Sequence, residues 1–289
     1  MRFFGLHEGF YEGVQIRIDQ LKDACDRLNV EFICLNSLEV NFSKLPVLGK
    51  GDLLYNFSRG SSYLESLLLN DEVTTFYISS PPFPFLNSDT ICYTLQHSKR
   101  HIPQPKTIFS LTKDKKLLND YVEYLGGFPI IIKAAGSTRG IGTIKIESWH
   151  NLFSTIDYLL IAGGQFIMRE FIKSDGVGRC RVLGNEVIQT YEFPLIKNDF
   201  RTSSLAFSEL KPIKKVVYAK EIENYCIEAA HLANTESAAV DVMIDPSGNP
   251  YILEINFPAG LPLNWKQSGN TIAIKMIEHL RNKALRNAK

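Results

Sequence analysis

Apolar residues recur along this chain in two rhythms. Arg2 to Leu6 and Glu31 to Leu35 are short apolar runs, and between them Val14 to Leu28 places Ile18, Leu21, Cys25 and Leu28 at three- and four-residue steps. The spacing predicts strand, amphipathic helix, strand. Apolar runs at Asp52 to Phe57 and Thr75 to Ser79 predict two further strands, with a helix over Ser62 to Leu69 between them. Strands alternating with helices predict an open, largely parallel α/β sheet in the first ninety or so residues. Pro81-Pro-Phe-Pro84 can continue neither a central strand nor a helix, so a linker is expected there.

Beyond the linker the pattern predicts helices over Ile91 to Arg100, Asp114 to Tyr124 and Asn151 to Ala162. Gly126-Gly127 ends the second of these, because glycine tolerates the left-handed turn that closes helices. Strands are expected at Phe128 to Lys133, Thr143 to Ile146 and Gln165 to Ile172, and over Gly176 to Ile188 with Gly184-Asn185 as its turn. There is no internal repeat and no low-complexity segment.

The segment Ala239 to Asn256 reads as a hairpin whose turn is Asp245-Pro-Ser-Gly-Asn-Pro250. If Ile244 pairs with Tyr251, Asp241 pairs with Glu254. Directly opposed residues have Cβ atoms roughly 4.5–5.5 Å apart, and like charges there are destabilising without a positive group between them. A divalent cation would resolve the conflict. Asn256 shares the face of Glu254 by the period of two and would lie opposite the small Ala239. Oxygen donors without thiolate or imidazole favour magnesium or manganese over zinc. A hairpin with one solvated carboxylate in a shifted register is the alternative at this point.

Composition narrows the class. At 289 residues and 45% hydrophobic content the chain can bury a large core, as one or two domains. A net charge of +1 gives no global argument for nucleic acid or membrane. The basic end, Lys275 to Lys289, has Ile272, Met276 and Leu280 at helical spacing, so its Lys and Arg residues read as the solvated face of a terminal helix. Cysteines 25, 34, 92, 180 and 226 form no zinc-ligand spacing and read as buried thiols of a reducing compartment. The six histidines read as structural or surface residues. With neither a signal-peptide core nor a run long enough to span a bilayer, the cytoplasm is the expected location.

The remaining chemistry lies around Lys133, which ends an apolar strand and is followed by Ala-Ala-Gly-Ser-Thr-Arg-Gly-Ile-Gly142. Glycines let backbone N–H groups approach a phosphate, Ser137 and Thr138 add hydroxyl donors, and Lys133 supplies a point charge. The loop fits a triphosphate. It is not a Walker A motif, because the lysine precedes the glycines. An ordinary glycine-rich hairpin turn is the alternative.

In order along the chain, Lys133, Ser137-Thr-Arg-Gly-Ile-Gly142, Glu170-Phe-Ile172, Arg179 before Val182-Leu-Gly-Asn-Glu-Val187, Phe200-Arg201, Asp241 and Glu254-Ile-Asn256-Phe-Pro-Ala-Gly260 resemble the ATP-grasp superfamily. The likeness is to its RimK-type ribosomal-protein glutamate ligase branch and spans residues 90 to 289. It implies an N-terminal open α/β domain over 1–88, then a two-subdomain ATP-grasp fold of α+β character. The central subdomain, 89–168, carries the glycine-rich loop, and the C-terminal subdomain, 169–289, carries the metal site. The implied activity is that of a carboxylate–amine ligase with ATP and Mg2+ (or Mn2+), forming an amide or peptide bond through an acylphosphate.

The resemblance also implies roles. Asp241, Glu254 and Asn256 would hold metal, and Lys133, Ser137, Thr138, Arg139, Gly140, Ile141 and Gly142 would bind the phosphates. Glu170, Phe171 and Ile172 would meet the adenine, with Asp175 near the nucleotide. Arg179 and Arg201 would face the transferred phosphoryl group or the substrate carboxylate. The implied partners are ATP, a carboxylate substrate and an amine co-substrate, without nucleic acid or membrane; a homo-oligomer is left open. Thr90 stands where the family often has lysine, Val177 where it has aspartate, and Phe257 where it has a small residue. The last predicts a pocket shaped differently from that of glutamate-adding relatives. Two other readings stay open, an ATP-grasp kinase acting on a small-molecule hydroxyl and a non-catalytic ATP-binding interaction protein.

Overall fold

The structure is a computed structural model and describes residues 1–9, 12–58, 61–81, 90–134, 140–195, 199–201, 213–262, 266 and 270–287. The expected parallel α/β unit is present. Strands β1 (Arg2–His7), β2 (Glu31–Asn36) and β3 (Leu53–Asn56) lie in the order β2-β1-β3, all parallel. Helix α1 (Glu12–Arg27) connects β1 to β2 and packs Val14, Leu21 and Cys25 against Phe3 and Tyr55. On the other face, Leu64 and Leu68 of α2 (Ser62–Leu68) cover Phe4, Leu6 and Leu54. Cover on both faces is what a parallel sheet requires, and it accounts for the near-continuous apolar run in β1.

A second sheet is antiparallel and contains β4 (Thr107–Ile108), β5 (Ile130–Ala134), β6 (Thr143–Ile146) and β7 (Phe166–Glu170), in the order β4-β7-β5-β6. Helices α4 (Lys115–Tyr124) and α5 (Trp149–Ala162) bury Leu118, Val122, Leu152 and Ile156 against Ile130, Ile132 and Met168. Asp114 caps α4 by accepting from the N–H groups of Lys116 and Leu117, and Gly126 and Gly127 follow it at φ 94° and 87°.

The third sheet, also antiparallel, runs β10-β9-β8-β11-β12. It comprises β8 (Gly176–Leu183), β9 (Glu186–Pro194), β10 (Lys214–Lys215), β11 (Ser237–Ile244) and β12 (Pro250–Asn256). One face is apolar. Cys180, Val182, Val240, Val242, Ile252 and Ile255 pack with Tyr93 of α3 (Thr90–Lys99) and with Cys226, Ala229 and Ala230 of α6 (Lys220–Leu232). The opposite face carries the charged residues taken up below.

Several expectations are corrected. Thr75 to Ser79 is not a strand: it makes one isolated bridge, Tyr77 with Thr235, while the bridge to β3, Leu53 with Thr74, falls just before it. Gly176 to Ile188 is a hairpin of two long strands, and β9 continues to Pro194. Helix α6 and the short β4 and β10 were not anticipated. Of the linker, all but Pro81 lies outside the described residues.

The terminal helix α7 (Thr271–Asn287) buries Ala273, Met276, Ile277, Leu280 and Ala284 in the same core as Phe3, Tyr55 and Phe76. Its basic face is not wholly solvated. Lys283 Nζ donates to Thr75 O at 3.1 Å, Tyr77 O at 2.8 Å and Glu236 Oε2 at 2.7 Å, and Glu236 also faces His279 Nε2 at 3.2 Å. One ammonium thus ties the C-terminal helix, the segment after β3 and the entry to β11.

Burial pushes the Glu236 carboxyl up, but hydrogen bonds and charge from His279 and Lys283 outweigh it, and its pKa falls below the usual carboxylate range. A depressed folded-state pKa contributes stability above the unfolded value of about 4.3, and that contribution is lost as pH falls through the folded value. Glu236→Gln is therefore expected to lower stability near neutrality and to flatten the stability–pH profile below about pH 4.3, as read from urea midpoints across that range.

Candidate active site

The register of β11 with β12 builds the site. Asp241 pairs with Glu254 and Ala239 with Asn256, as expected, but Ile244 pairs with Pro250 and Met243 with Tyr251. The ladder shifts by one residue between Asp241 and Val242. Val242 pairs with Ile252, so Leu253 is the extra residue of a β-bulge. The bulge has a packing cause. Ile252 and Ile255 are three apart yet both enter the apolar core against α6, and only an inserted residue allows that while Glu254 faces the other way.

On that other face two carboxylates oppose each other across the ladder. Arg179 of β8 pairs with Asp241 in the next register, and its guanidinium donates to both carboxylate oxygens at 2.6 and 2.8 Å. Lys133, at the end of β5 in the second sheet, donates to Glu254 Oε2 at 2.9 Å. Asn256 Nδ2 lies 3.3 Å from Asp241 Oδ2 and 3.2 Å from Glu254 Oε1, joining the two acids. Five of the expected site residues, drawn from three strands of one sheet and one of another, therefore meet.

The electrostatics follow from this packing. Asp241 is 6% exposed, and burial drives its pKa up, with Glu254 adding to the rise and Arg179 and Lys133 opposing it. Burial also pushes Glu254 up, but there Lys133, Arg179 and Asn256 prevail and the net shift is downward. Arg179 is raised despite burial, held by Asp241. Among the described residues no group of three His, Cys, Asp or Glu side chains gathers in one place. The donor set is two carboxylates and an amide oxygen, which suits a hard cation completed by water or phosphate oxygens.

The other expected residues sit as follows. Gly140 and Gly142 have φ of 72° and 71°, which a side chain disfavours, and Gly142 O accepts from Ala134 N–H at 3.0 Å. Ile141 is 46% exposed. Ser137, Thr138 and Arg139 lie outside the described residues. Glu170 accepts from the Lys106 N–H at 3.1 Å, Phe171 lies under Lys145 Nζ at 5.0 Å, and Ile172 is buried. Asp175 is exposed, its carbonyl accepting from Leu195 N–H. Arg201 pairs with Asp199 and donates to Gly140 O at 3.2 Å, which places it on the glycine loop rather than beside Asp241 in the manner of Arg179. Val177 is buried, and Phe257 packs against Tyr77 at 5.4 Å between ring centroids.

Two further buried arginines border the site. Arg169 of β7 donates to Thr107 Oγ1 and, at 3.2 Å, to the carbonyl of the bulge residue Leu253, while burial lowers its pKa to about 10. Arg181 lies two residues beyond Arg179 on β8, and that period of two was the sequence signal that could have placed it on the site face.

The chain superposes along nearly its whole length on solved ATP-grasp ligases. It covers 96% of itself and 99% of the ATP-grasp ligase PsnB in complex with a minimal precursor, at a TM-score of 0.67 and 16% identity. For the D-alanine–D-alanine ligase of Bacillus anthracis the figures are 99%, 98%, 0.65 and 16%. The fold is thus the mixed α/β architecture expected. The model of the RimK-like ATP-grasp domain matches residues 90–280, well over half of the chain, and the protein belongs to that family. Among its relatives are a probable alpha-L-glutamate ligase of Vibrio atlanticus strain LGP32, 28% identical over 193 residues, and one of Coxiella burnetii strain Dugway 5J108-111, 32% identical over 166. The matches cover 66% and 57% of this chain and only 62% and 53% of those relatives. No helix among the described residues is long and apolar enough to cross a membrane.

Removing one partner of a buried ion pair strands the other charge and costs about 3–5 kcal/mol. Arg179→Met is accordingly expected to destabilise the protein by about that amount, measured by chemical denaturation.

Proposed function

We propose that the protein is an ATP-dependent ligase that joins a carboxylate to an amine through an acylphosphate, releasing ADP and phosphate. The observation that carries this reading is the meeting of Asp241, Glu254 and Asn256 with Lys133 and Arg179 on one face. Oxygen donors for a cation and fixed positive charge for a polyanion stand side by side there. In this reading residues 89–168 and 169–289 hold the nucleotide, and residues 1–88 border the substrate.

Asp241, Glu254 and Asn256 hold Mg2+ or Mn2+, which when bound offsets the negative charge of the phosphates. Lys133 exchanges Glu254 for phosphate oxygens. Glu170, Phe171 and Ile172 receive the adenine, with Asp175 beside the nucleotide. Residues Ser137 to Gly142 cover the triphosphate and keep water from the acylphosphate, which hydrolysis would otherwise consume. Arg179 and Arg201 stabilise charge on the phosphoryl group or on the substrate carboxylate, for which a planar fork of donors is suited. A carboxylate oxygen attacks the γ-phosphorus and ADP leaves. The amine nitrogen then attacks the acyl carbon, phosphate leaves, and the nitrogen gives up a proton.

The names of the relatives make L-glutamate the first amino acid to try. ADP release, screened over pairs of carboxylates and amines with mass spectrometry of the products, is expected to require both. Release that needs only a hydroxyl acceptor would overturn the reading in favour of a kinase. Glu254→Gln is expected to fold, by circular dichroism, and to lose more than the ~10–100-fold in activity that loss of an outer-shell metal partner costs. Lys133→Ala should weaken nucleotide binding, measured by calorimetry.

A further inference from the structure

Beside the acid pair lies a second group of charges that the ligase reading leaves without work. Arg181 is 3% exposed; its Nη2 donates to the carbonyl of Gly260, and the Tyr191 side chain also lies within its hydrogen-bonding reach. Its Nε and Nη1 are buried and have no close partner among the described residues. Arg17 of α1 approaches the same glycine: its Nη2 is 3.6 Å from where a side-chain carbon on Gly260 would stand, and its Nε is likewise buried and unpartnered. The hydroxyl of Tyr55, at 3% exposure on β3, lies in the field of both arginines, with the backbone N–H of Ala259 beside it. Directly across the ladder from Arg181, Gln189 Oε1 is a buried acceptor without a donor.

Buried polar groups are nearly always hydrogen-bonded, and a buried charge without a counter-charge is costlier still. Among the described residues no carboxylate makes an ion pair with Arg181. The charged and titratable groups that bear on it are Tyr191, Tyr55 and Arg179, and Arg179 is already engaged by Asp241. The acid that acts on Tyr55 is Glu65, which is occupied by Asn56 at 2.9 Å and Tyr77 at 3.0 Å. The loop beside these groups is also held in place. The loop through Gly260 is clamped to α1 by Gln20, which donates to Pro262 O, and Gln20 O in turn accepts from Asn270. Little ordering cost then falls on a ligand.

We propose that Arg17, Tyr55 and Arg181 form a subsite for an unreactive carboxylate on a substrate, with Gln189 accepting from an N–H beside that carboxylate, as an amino acid or a peptide C terminus presents. Two guanidinium forks and a phenol match carboxylate oxygens in number and geometry. The strand spacing puts Arg181 roughly 7 Å along β8 from Arg179. A carboxylate held there leaves the other end of a small substrate at the acid pair. The inference deepens the ligase reading by naming the substrate class, and it rests on that reading for the chemistry alone.

The test is equilibrium binding to the full-length chain with Mg2+ and a non-hydrolysable ATP analogue present, so that turnover is not involved. The probes are glycine, L-alanine, L-glutamate and L-lysine, each beside its α-carboxamide. At least one amino acid is expected to bind at least about tenfold more tightly than its amide, about 1.4 kcal/mol, and Arg181→Gln and Arg17→Gln are each expected to erase the difference. Arg17 is only half-buried, so its variant remains informative if Arg181→Gln does not fold by circular dichroism. The proposal is overturned if no amino acid binds, if amides bind equally well, or if the folded variants still discriminate. Binding that discriminates without any ADP release under substrate pairs would instead count against the ligase reading and leave the subsite standing.

Discussion

Two carboxylates face each other across neighbouring strands, one of them nearly removed from water, and the architecture around them is organised by the need to offset that charge. The compensation comes from two places. Arg179 is supplied by the same sheet, one strand over, and Lys133 by the end of a strand in a different sheet. Electrostatics therefore couples the placement of the second and third sheets to each other, and Arg169 adds a second tie by donating to the bulged carbonyl of Leu253. The arrangement is costly, since burial raises Asp241 and the facing Glu254 adds to the rise. Exchange of Lys133 from Glu254 to phosphate would then be a short movement of one side chain.

The first sheet is tied to the same region by different means. Its core is completed by α7 and by Phe257 and Leu261, which follow directly after Asn256. Phe257 stands among Tyr55 and Tyr77 and serves as a plug between the end of β12 and the parallel sheet. Lys283 closes the opposite side by serving three oxygens at once. These contacts bring Arg17 and Tyr55, from the first sixty residues, to the side of Arg181.

Legibility in the sequence followed range. The strand carrying Lys133, the hairpin with its opposed acids and the glycine stop at Gly126 were readable because each is set by residues within a few positions of one another. The pairing of Asp241 with Glu254 was reached through an even register that the ladder does not keep. The bulge at Leu253 depends on α6 packing against Ile252 and Ile255, and no pattern within the hairpin announces it. Thr75 to Ser79 has the composition of a strand but makes its backbone pairs with the turn at Asn234 to Glu236, the contact with β3 ending at Thr74, which composition cannot reveal. Lys283 sits in a run of basic residues at helical spacing, and only the approach of Thr75, Tyr77 and Glu236 sets it apart from its solvated neighbours.

The sequence by itself determined which side chains share a face, because the periods of two and 3.6 are properties of the local backbone, and through the order of its motifs it determined the family. Which distant groups then neutralise, cap or leave one another unpartnered was decided by tertiary packing alone. Lys133 meets Glu254 across 121 positions, and Arg169 meets Leu253 across 84. Hydrogen bonds and ion pairs act over a few ångströms, and separation along the chain says nothing of that distance until the sheets are stacked.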